Sequence, residues 1–306
     1  MKTITVFVER LPLPTGCVAL GMIGIAALLD SYNPILFYVF GSLSVLFQAA
    51  LLLKLLLTNA LRHALSDYSS LSMLAGMTMA LMLTAAQVKS HFAFWGAAII
   101  WYVALLLHVL IVIVFSRKIL LERPDLSVIR GNWMLVYVGI AAATVSAPVF
   151  SINTIGLIFL IPSAAGAVIL LPLVYYYSCR LKNVPIEQRP LFCITAAPVS
   201  IWLTGYINAS KSPSHILVLV LILIAQILYV PALIQCIRTI RNTFYPSIAS
   251  YTFPFVISAN AVGQSISIAN LPDVFWLAFI IETLIAALLC IYTCGRYLCY
   301  MFSIKV

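Results

Sequence analysis

One stretch of the sequence, Tyr251 to Gln264, combines an aromatic ring, a helix break and uncharged polar side chains. Pro254 interrupts it, because a proline removes a backbone donor and crowds the preceding turn of a helix. On a helical period, one face of this stretch carries Phe253, Ile257, Asn260 and Gln264. That face could line a narrow pore that the Phe253 ring occludes. It could equally be a helix–helix packing face with a structural kink.

Two ionisable side chains, Glu282 and His108, lie well inside apolar segments. A charged side chain at the centre of a bilayer costs about 2.5–3.5 kcal/mol on insertion scales, so each needs a reason to be there. One interpretation is a proton or ion relay. The other, which we favour for both, is packing and hydrogen bonding against a neighbouring helix. We expect the same of three glutamines: Gln48, Gln87 and Gln226.

The composition is that of a membrane protein. Of 306 residues, 64% are hydrophobic and 8% are charged, whereas soluble proteins carry about 25% charged residues. We therefore expect a single polytopic domain over residues 1–306, with the lipid bilayer as its surroundings. No small-residue cleavage site follows the first residues, which argues against a cleaved signal peptide.

The sequence lacks the motifs of an enzyme. It contains no GxSxG, no HExxH and no Gly-rich phosphate loop. The seven cysteines form no CxxC pair and no Cys/His cluster with zinc spacing. We expect no enzymatic activity, no bound metal and no cofactor.

Apolar runs between charged or turn-rich breaks predict ten membrane spans. The odd-numbered spans are short or intermediate, the first, third, fifth and seventh being near the minimum of about 17 residues. The even-numbered spans are longer. The predicted spans are 13–29, 34–57, 71–88, 92–115, 133–150, 154–178, 191–208, 215–237, 247–269 and 274–300.

The short and long spans differ in composition. The short spans are rich in small residues, which permit close helix approach, and the long spans are rich in bulky aliphatic residues, which suit a lipid-facing surface. The alternation predicts an all-α fold of five helical hairpins about a central axis, each with one inner and one outer helix. We expect the inner helices to supply kinks and pore-lining groups at Pro14, Thr15, Gly16, Gly76, Thr144, Pro148, Thr195, Pro198 and Pro254.

Basic residues predict the orientation. If the termini share a side with the loops after the even-numbered spans, that side holds fifteen of the seventeen Lys and Arg residues. This is a strong positive-inside signal, so we expect both termini in the cytoplasm. Basic residues spread over short loops also exclude a nucleic-acid interface. The fifteen are Lys2, Arg10, Lys54, Arg62, Arg117, Lys118, Arg123, Arg130, Arg180, Lys182, Arg189, Arg238, Arg241, Arg296 and Lys305, against Lys89 and Lys211.

Four groups of residues resemble a known family. They are Pro12–Gly16 in the first span, Asn132-Trp133 with Val138–Ile140 and Ser146–Pro148 in the fifth, Ala196–Pro198 with Gly205-Tyr206 in the seventh, and Tyr251–Phe255 in the ninth. Nearly the whole chain is similar to the tellurite-resistance/dicarboxylate transporter family, which includes the plant slow anion channels, the yeast malate permease and the bacterial tellurite-resistance permease. The Tyr-Thr-Phe-Pro-Phe run is the most specific match.

The resemblance implies a structure and a function. It implies ten helices in five hairpins around a quasi-fivefold pore, commonly assembled as a homotrimer with one pore in each subunit. It implies that Phe253 matches the aromatic residue that occludes the pore. It also implies anions as substrates: chloride and nitrate in the channel branch and dicarboxylates such as malate in the carrier branch.

The residues and the resemblance together favour a passive anion channel gated by Phe253 in a bacterial inner or plasma membrane. The nearest rival is a proton-coupled dicarboxylate carrier that uses Glu282 or His108. An efflux permease for tellurite or sulfite would share the fold and cannot be told apart by sequence. A sensor or scaffold without transport would have a dry, fully packed interior.

Overall fold

A computed structural model describes residues 8–179, 184–240 and 243–302 of the chain. Within these ranges the chain forms α-helices, 3-10 helices and turns, and no strand. The predicted all-α class is therefore confirmed. Five basic residues used to predict the orientation lie outside the described ranges: Lys2, Arg180, Lys182, Arg241 and Lys305.

The described α-helices are numbered in chain order. They are α1 (Thr15–Leu29), α2 (Pro34–Leu57), α3 (Ala60–Ser66), α4 (Tyr68–Phe92), α5 (Ala97–Glu122), α6 (Trp133–Tyr137), α7 (Ala141–Ser146), α8 (Asn153–Cys179), α9 (Ala197–Ala209), α10 (His215–Thr239), α11 (Phe253–Ile268) and α12 (Val274–Met301). Four 3-10 helices accompany them: Leu126–Val128, Ala147–Phe150, Ile186–Ala196 and Pro246–Tyr251.

Among the described residues, seven helical segments are long and apolar enough to cross a membrane. Six are α2, α4, α5, α8, α10 and α12, and the seventh joins the 3-10 helix Ile186–Ala196 to α9. Two apolar helical segments are shorter, namely α1 and Ala141–Phe150. The chain is therefore a multi-pass membrane protein.

Burial divides the long segments into two groups. In α4 and in Ile186–Ala209, 72% of the most apolar stretch is buried, whereas in α5, α8, α10 and α12 the share is 28%. The second group carries its bulky side chains outward, as Leu106 of α5 does at 59% exposed. Because bulky aliphatic surfaces suit lipid, this division agrees with the inner and outer helices that the composition predicts.

The buried segments contact one another in a closed sequence. Helix α1 packs against α4, α4 against α7, α7 against α9, α9 against α11, and α11 against α1. Each of these also packs against the long helix that follows it, as α1 does against α2 and α11 against α12. The interior of the chain is therefore made by segments that are far apart in sequence.

Two glycines allow the closest of these approaches. A Cβ atom on Gly16 of α1 would lie 2.9 Å from the backbone nitrogen of Met77, and one on Gly76 of α4 would lie 2.4 Å from Sγ of Cys17. Any larger side chain would force the two helices apart, because interiors are close-packed. The small residues of these segments thus serve helix packing.

The predicted fifth span, 133–150, is not one helix. It comprises α6, a turn at residues 138–140, α7 and a 3-10 helix. At the turn, the amides of Val138 and Gly139 both donate to the carbonyl of Met134, and Pro148 cannot donate to continue an α-helix. The predicted seventh and ninth spans likewise begin as 3-10 helices before Pro198 and Pro254.

The expectation that the third span is short is wrong. Helix α4 has 25 residues, because it extends beyond the apolar run at both ends. At its start the Asp67 side chain accepts a hydrogen bond of 2.7 Å from the amide of Ser70 and caps the helix. A hydropathy pattern detects the apolar run, but it does not detect the polar turns by which a helix continues beyond that run.

Candidate functional site

Two cavities lie one above the other in the interior, and we name them by size. The narrow cavity has a volume of about 30 Å³, enough for about two water molecules. The wide cavity has a volume of about 250 Å³. The narrow cavity is lined by Cys17, Leu20, Met73, Met79, Met134, Leu135, Val138, Gly139, Ile194, Ala197, Pro198, Ile201, Ala249, Ser250, Phe253 and Pro254.

The lining of the wide cavity comes from α1, α4, residues 145–149, α9 and α11. The narrow cavity is lined by residues of α1, α4, α9 and α11, by residues 134–139, and by the 3-10 helices that precede α9 and α11. The lining residues of the wide cavity are Ile23, Gly24, Ala27, Leu28, Leu83, Ala86, Gln87, Val145, Ser146, Val149, Asn208, Phe253, Val256, Ile257, Asn260 and Gln264.

Among the described residues, Phe253 is the one that the two linings share. Its side chain is 4% exposed, and it lies where the two linings meet. A third cavity of about 510 Å³, at the end of the molecule where α1 begins, shares Met73 with the narrow one. The three cavities therefore follow one another in the order terminal, narrow and wide.

The two inner cavities differ in polarity. The narrow cavity is lined by apolar side chains except for Ser250, whose hydroxyl lies 2.6 Å from the Pro190 carbonyl. The wide cavity contains four carboxamide side chains: Gln87, Asn208, Asn260 and Gln264. No Lys, Arg, Asp, Glu or His lines either cavity among the described residues. An ion inside would therefore meet dipoles and no fixed charge.

Local sequence places the Phe253 ring. Thr252 has φ −93° and ψ −91°, so the chain is irregular between the 3-10 helix and α11. Its hydroxyl lies 2.8 Å from the Ala249 carbonyl and 3.1 Å from the Cys17 carbonyl of α1. Pro254 then occupies the first turn of α11, where its missing N–H costs no hydrogen bond. Phe253 is thereby held at the very start of the helix.

Residues 11–298 match the family model described as the voltage-dependent anion channel, SLAC1. The chain belongs to this family. The sequence motifs indicate a resemblance to this same family, so that prediction is confirmed. The SLAC1 assignment implies transport of anions across a membrane. No curated protein matches the chain.

Within this SLAC1-family chain, five of the pore-lining residues expected besides Phe253 line one of the two inner cavities. Pro198 and Pro254 lie at the narrow cavity. Ile257, Asn260 and Gln264 lie along one side of the wide cavity. The helical face that carries these three therefore lies on the hollow interior rather than between packed helices.

The remaining residues expected in the pore line neither inner cavity. The hydroxyls of Thr15, Thr144 and Thr195 each donate to a backbone carbonyl, at 2.6, 2.7 and 2.8 Å. Gly16 and Gly76 form the α1–α4 contact described above. Pro14 lines the terminal cavity, and Pro148 begins a 3-10 helix. These residues shape the backbone around the cavities.

His108 lies between helices and away from the inner cavities. It is fully buried, with Nδ1 2.7 Å from the Thr78 hydroxyl and Nε2 3.1 Å from the Val136 carbonyl. Because a carbonyl only accepts, Nε2 carries the proton in this arrangement. Both ring nitrogens are thus engaged, and the side chain ties α5 to α4 and α6.

Glu282 is 4% exposed and lines none of the three cavities. It lies on α12 beside the hydroxyl of Ser258 on α11 and the amide of Gln226 on α10. Among the described residues, its Oε2 atom has no hydrogen bond of good geometry. The group is a polar contact between helices on the side of α11 that faces away from the wide cavity.

Sequence reasoning missed two sets of residues at this site. Met73, Met79 and Met134 line the narrow cavity, although nothing in their local sequence distinguishes them from packing residues. Gln87, expected to bond between helices, lines the wide cavity, whereas Gln48 does bond as expected, to Ser44 and Thr84. Gly21 and Gly24 of α1, three residues apart, both approach the start of α11. This spacing of glycines is a sequence signal for the close approach of the two helices.

Proposed function

We propose that this chain is a passive anion channel in which the Phe253 ring is the gate. The single observation that carries the proposal is that Phe253, alone among the residues that the structure describes, lines both inner cavities. Removing or turning this one ring would join the wide cavity to the narrow one. Conduction requires sites that release an ion as readily as they accept it, and a lining without fixed charge suits that requirement.

The closed sequence of buried segments supports a tube formed by the inner members of five helical hairpins. In this arrangement the chain crosses the membrane ten times as one domain over residues 1–306, in a quasi-fivefold arrangement about the cavities. Helix α11 and the interrupted segment 133–150 would be crossings built from shorter pieces. The family resemblance adds a homotrimer with one pore in each subunit, which mass measurement in detergent would test.

The positive-inside pattern supports cytoplasmic termini, so the terminal cavity would open to the cytoplasm and the wide cavity to the opposite side. We place the chain in a bacterial inner or plasma membrane. A single cysteine introduced at Lys211, in the loop between α9 and α10, should react with an impermeant maleimide applied outside intact cells. One introduced at exposed Arg62 should not.

Chloride and nitrate are the permeant anions we propose first, because no basic side chain in the described part of the chain lines the inner cavities to compensate a dianion. The charge of malate would have to be stripped of water without a compensating partner, which is costly. Malate, tellurite and sulfite remain alternative substrates of the same route. Each can be tested in turn in the assay below.

The test is anion flux from proteoliposomes under a clamped membrane potential, with chloride, nitrate and malate compared. Phe253→Ala should raise flux well above the wild type without a pH gradient. Phe255→Ala is the matched control, because Phe255 is two residues away, fully buried and packed on Tyr229 with ring centroids 5.4 Å apart, and it lines neither cavity. Unchanged flux in folded Phe253→Ala would remove the gate.

A proton-coupled dicarboxylate carrier is the rival function. It would show flux that is confined to malate, saturates and depends on a pH gradient. Glu282 and His108 would then have to reach the transport route through a conformational change, since neither lines an inner cavity. The same proteoliposomes distinguish the two functions.

A further inference from the structure

The wide cavity combines two kinds of lining. Four carboxamides reach it from three helices: Gln87 from α4, Asn208 from α9, and Asn260 and Gln264 from α11. Most of its other lining residues are apolar, among them Ile23, Leu28, Leu83, Val149 and Ile257. A mixed lining with a few convergent polar groups is typical of a small-molecule site rather than of a plain water channel.

The carboxamides are not all used in holding the fold together. Asn208 donates from Nδ2 to the Val145 carbonyl at 3.1 Å and so belongs partly to the α7–α9 contact. Gln264 is different, because its Oε1 atom is buried and has no hydrogen-bond partner among the described residues. A half-turn of this carboxamide exchanges Oε1 and Nε2, and so brings an N–H donor to the unpartnered position. Asn260 lies one turn before it on the same face of α11, so the two amides present hydrogen-bonding groups side by side.

We propose that the wide cavity is a binding site for short monocarboxylate anions, from acetate to butyrate in size. The carboxylate oxygens accept from the amide groups of Asn260, Gln264 and Gln87, and the alkyl chain lies against the aliphatic wall. The proposal rests on the proposed function in one respect, which is that the ligand is an anion. An occupant of this cavity blocks the entry of any other anion from that side.

Size and charge select this class of ligand. A cavity of about 250 Å³ exceeds what a halide needs and leaves room for a chain of a few carbon atoms. No Lys, Arg or His lines it among the described residues, so a second negative charge on the ligand would be desolvated without compensation. A halide would gain nothing from the aliphatic wall. One charged end and one apolar end match the lining.

The apolar wall makes a quantitative expectation possible. Burying one methylene group contributes enough to change an equilibrium constant by up to about fourfold. We therefore expect the dissociation constant to fall about two- to fourfold at each step from acetate to propionate to butyrate. A site that recognised the carboxylate alone would bind all three equally.

The experiment is titration calorimetry of the purified full-length protein with sodium acetate, propionate and butyrate, at an ionic strength held constant with sodium chloride. In the wild type the affinity should rise with chain length. Gln264→Leu and Asn260→Leu should each weaken butyrate binding by on the order of tenfold, since a hydrogen bond to a charged group is lost. Gln226→Leu is the matched control, because Gln226 lies on α10 and lines neither inner cavity.

Three results would overturn the proposal. They are an affinity that shows no trend with chain length, an equal loss of butyrate binding in Gln226→Leu, or tighter binding of the sodium salts in Gln264→Glu. The last would indicate a cation site, because amide oxygens can hold cations. Thermal unfolding of each variant verifies that it is folded. Binding is measured without transport, so a site that fails here leaves the flux result for Phe253→Ala standing, and a failed gate leaves this site standing.

Discussion

A Cβ atom on Gly24 would lie 3.4 Å from Cδ2 of the Phe253 ring and 3.0 Å from Cγ1 of Val256. The bare backbone of α1 therefore forms the surface on which the Phe253 ring rests. Phe253 is 229 positions further along the chain than Gly24, so the contact is made by tertiary packing alone. If Phe253 is the gate, Gly24 is the residue that leaves room for it.

The first prediction concerns that space. In the Phe253→Ala background, Gly24→Leu should lower anion flux toward the wild-type level, because the leucine side chain occupies the volume that the ring vacates. Flux from proteoliposomes measures the effect. The matched control is Gly41→Leu on α2, where an added Cβ meets nothing within 4 Å. Equal flux in the single and double variants would contradict the prediction.

The second prediction concerns Gly21, one turn earlier on α1. A Cβ atom there would lie 2.3 Å from Cβ and 2.5 Å from Oγ1 of Thr252, so Gly21→Ala must displace the residue before Phe253. We expect a destabilisation of about 1–3 kcal/mol from overpacking, seen as a lower midpoint of thermal unfolding.

Gly295 on α12 provides the comparison for Gly21, since a Cβ there meets nothing within 4 Å. Gly295→Ala should raise the midpoint slightly, because alanine favours a helix over glycine by about 0.5–1 kcal/mol. If both substitutions acted alike, the close approach of α1 to Thr252 would not be what limits residue 21.

The third prediction separates two roles for His108. Replacing it with alanine removes the donor to the Val136 carbonyl, leaves the Thr78 hydroxyl with the Ala75 carbonyl as its remaining partner, and opens a void. We therefore expect a loss of roughly 2–4 kcal/mol in stability. Anion flux per folded molecule should keep its dependence on a pH gradient unchanged. His63→Ala at an exposed position controls for removal of a histidine. A changed pH dependence in His108→Ala would favour a relay.

The fourth prediction concerns Glu282. Glu282→Gln keeps the shape of the side chain and removes a group that is costly to charge in a membrane. We expect anion flux to stay at the level of the parent protein and the unfolding midpoint to stay equal or rise. Glu122→Gln, at the exposed end of α5, serves as the control. Accumulation driven by a pH gradient that is lost in Glu282→Gln alone would support the carrier.

Much of the fold can be predicted from the sequence. Helices α1 and α2 begin within two residues of the starts predicted for their spans, because an apolar run bounded by polar residues or prolines is a local property. Pro198 and Pro254 likewise mark where 3-10 helix gives way to α-helix, since the restriction that proline imposes acts on its own neighbours. Hydropathy was less informative for α4 and for residues 133–150, whose ends and interruption depend on a side-chain cap and a tight turn.

The candidate site could be predicted in part. The face with Ile257, Asn260 and Gln264 follows from helical period, and all three line the wide cavity. The threonines expected beside them do not line this cavity. A threonine side chain can instead donate to a nearby backbone carbonyl, as Thr195 does to that of Phe192. Period tells which residues share a face, but not whether that face meets another helix or an open space.

The sequence by itself thus determined that the chain is helical, lies in a membrane and belongs to an anion-channel family. Tertiary structure alone decided that Phe253 rests on Gly24, that three methionines line the cavity beneath it, and that Glu282 and His108 lie away from both inner cavities. The physical reason is the distance along the chain over which each effect acts. Hydropathy and proline act over a few residues, whereas a cavity is bounded by side chains from five separate segments, and its lining depends on how closely each pair of segments can approach.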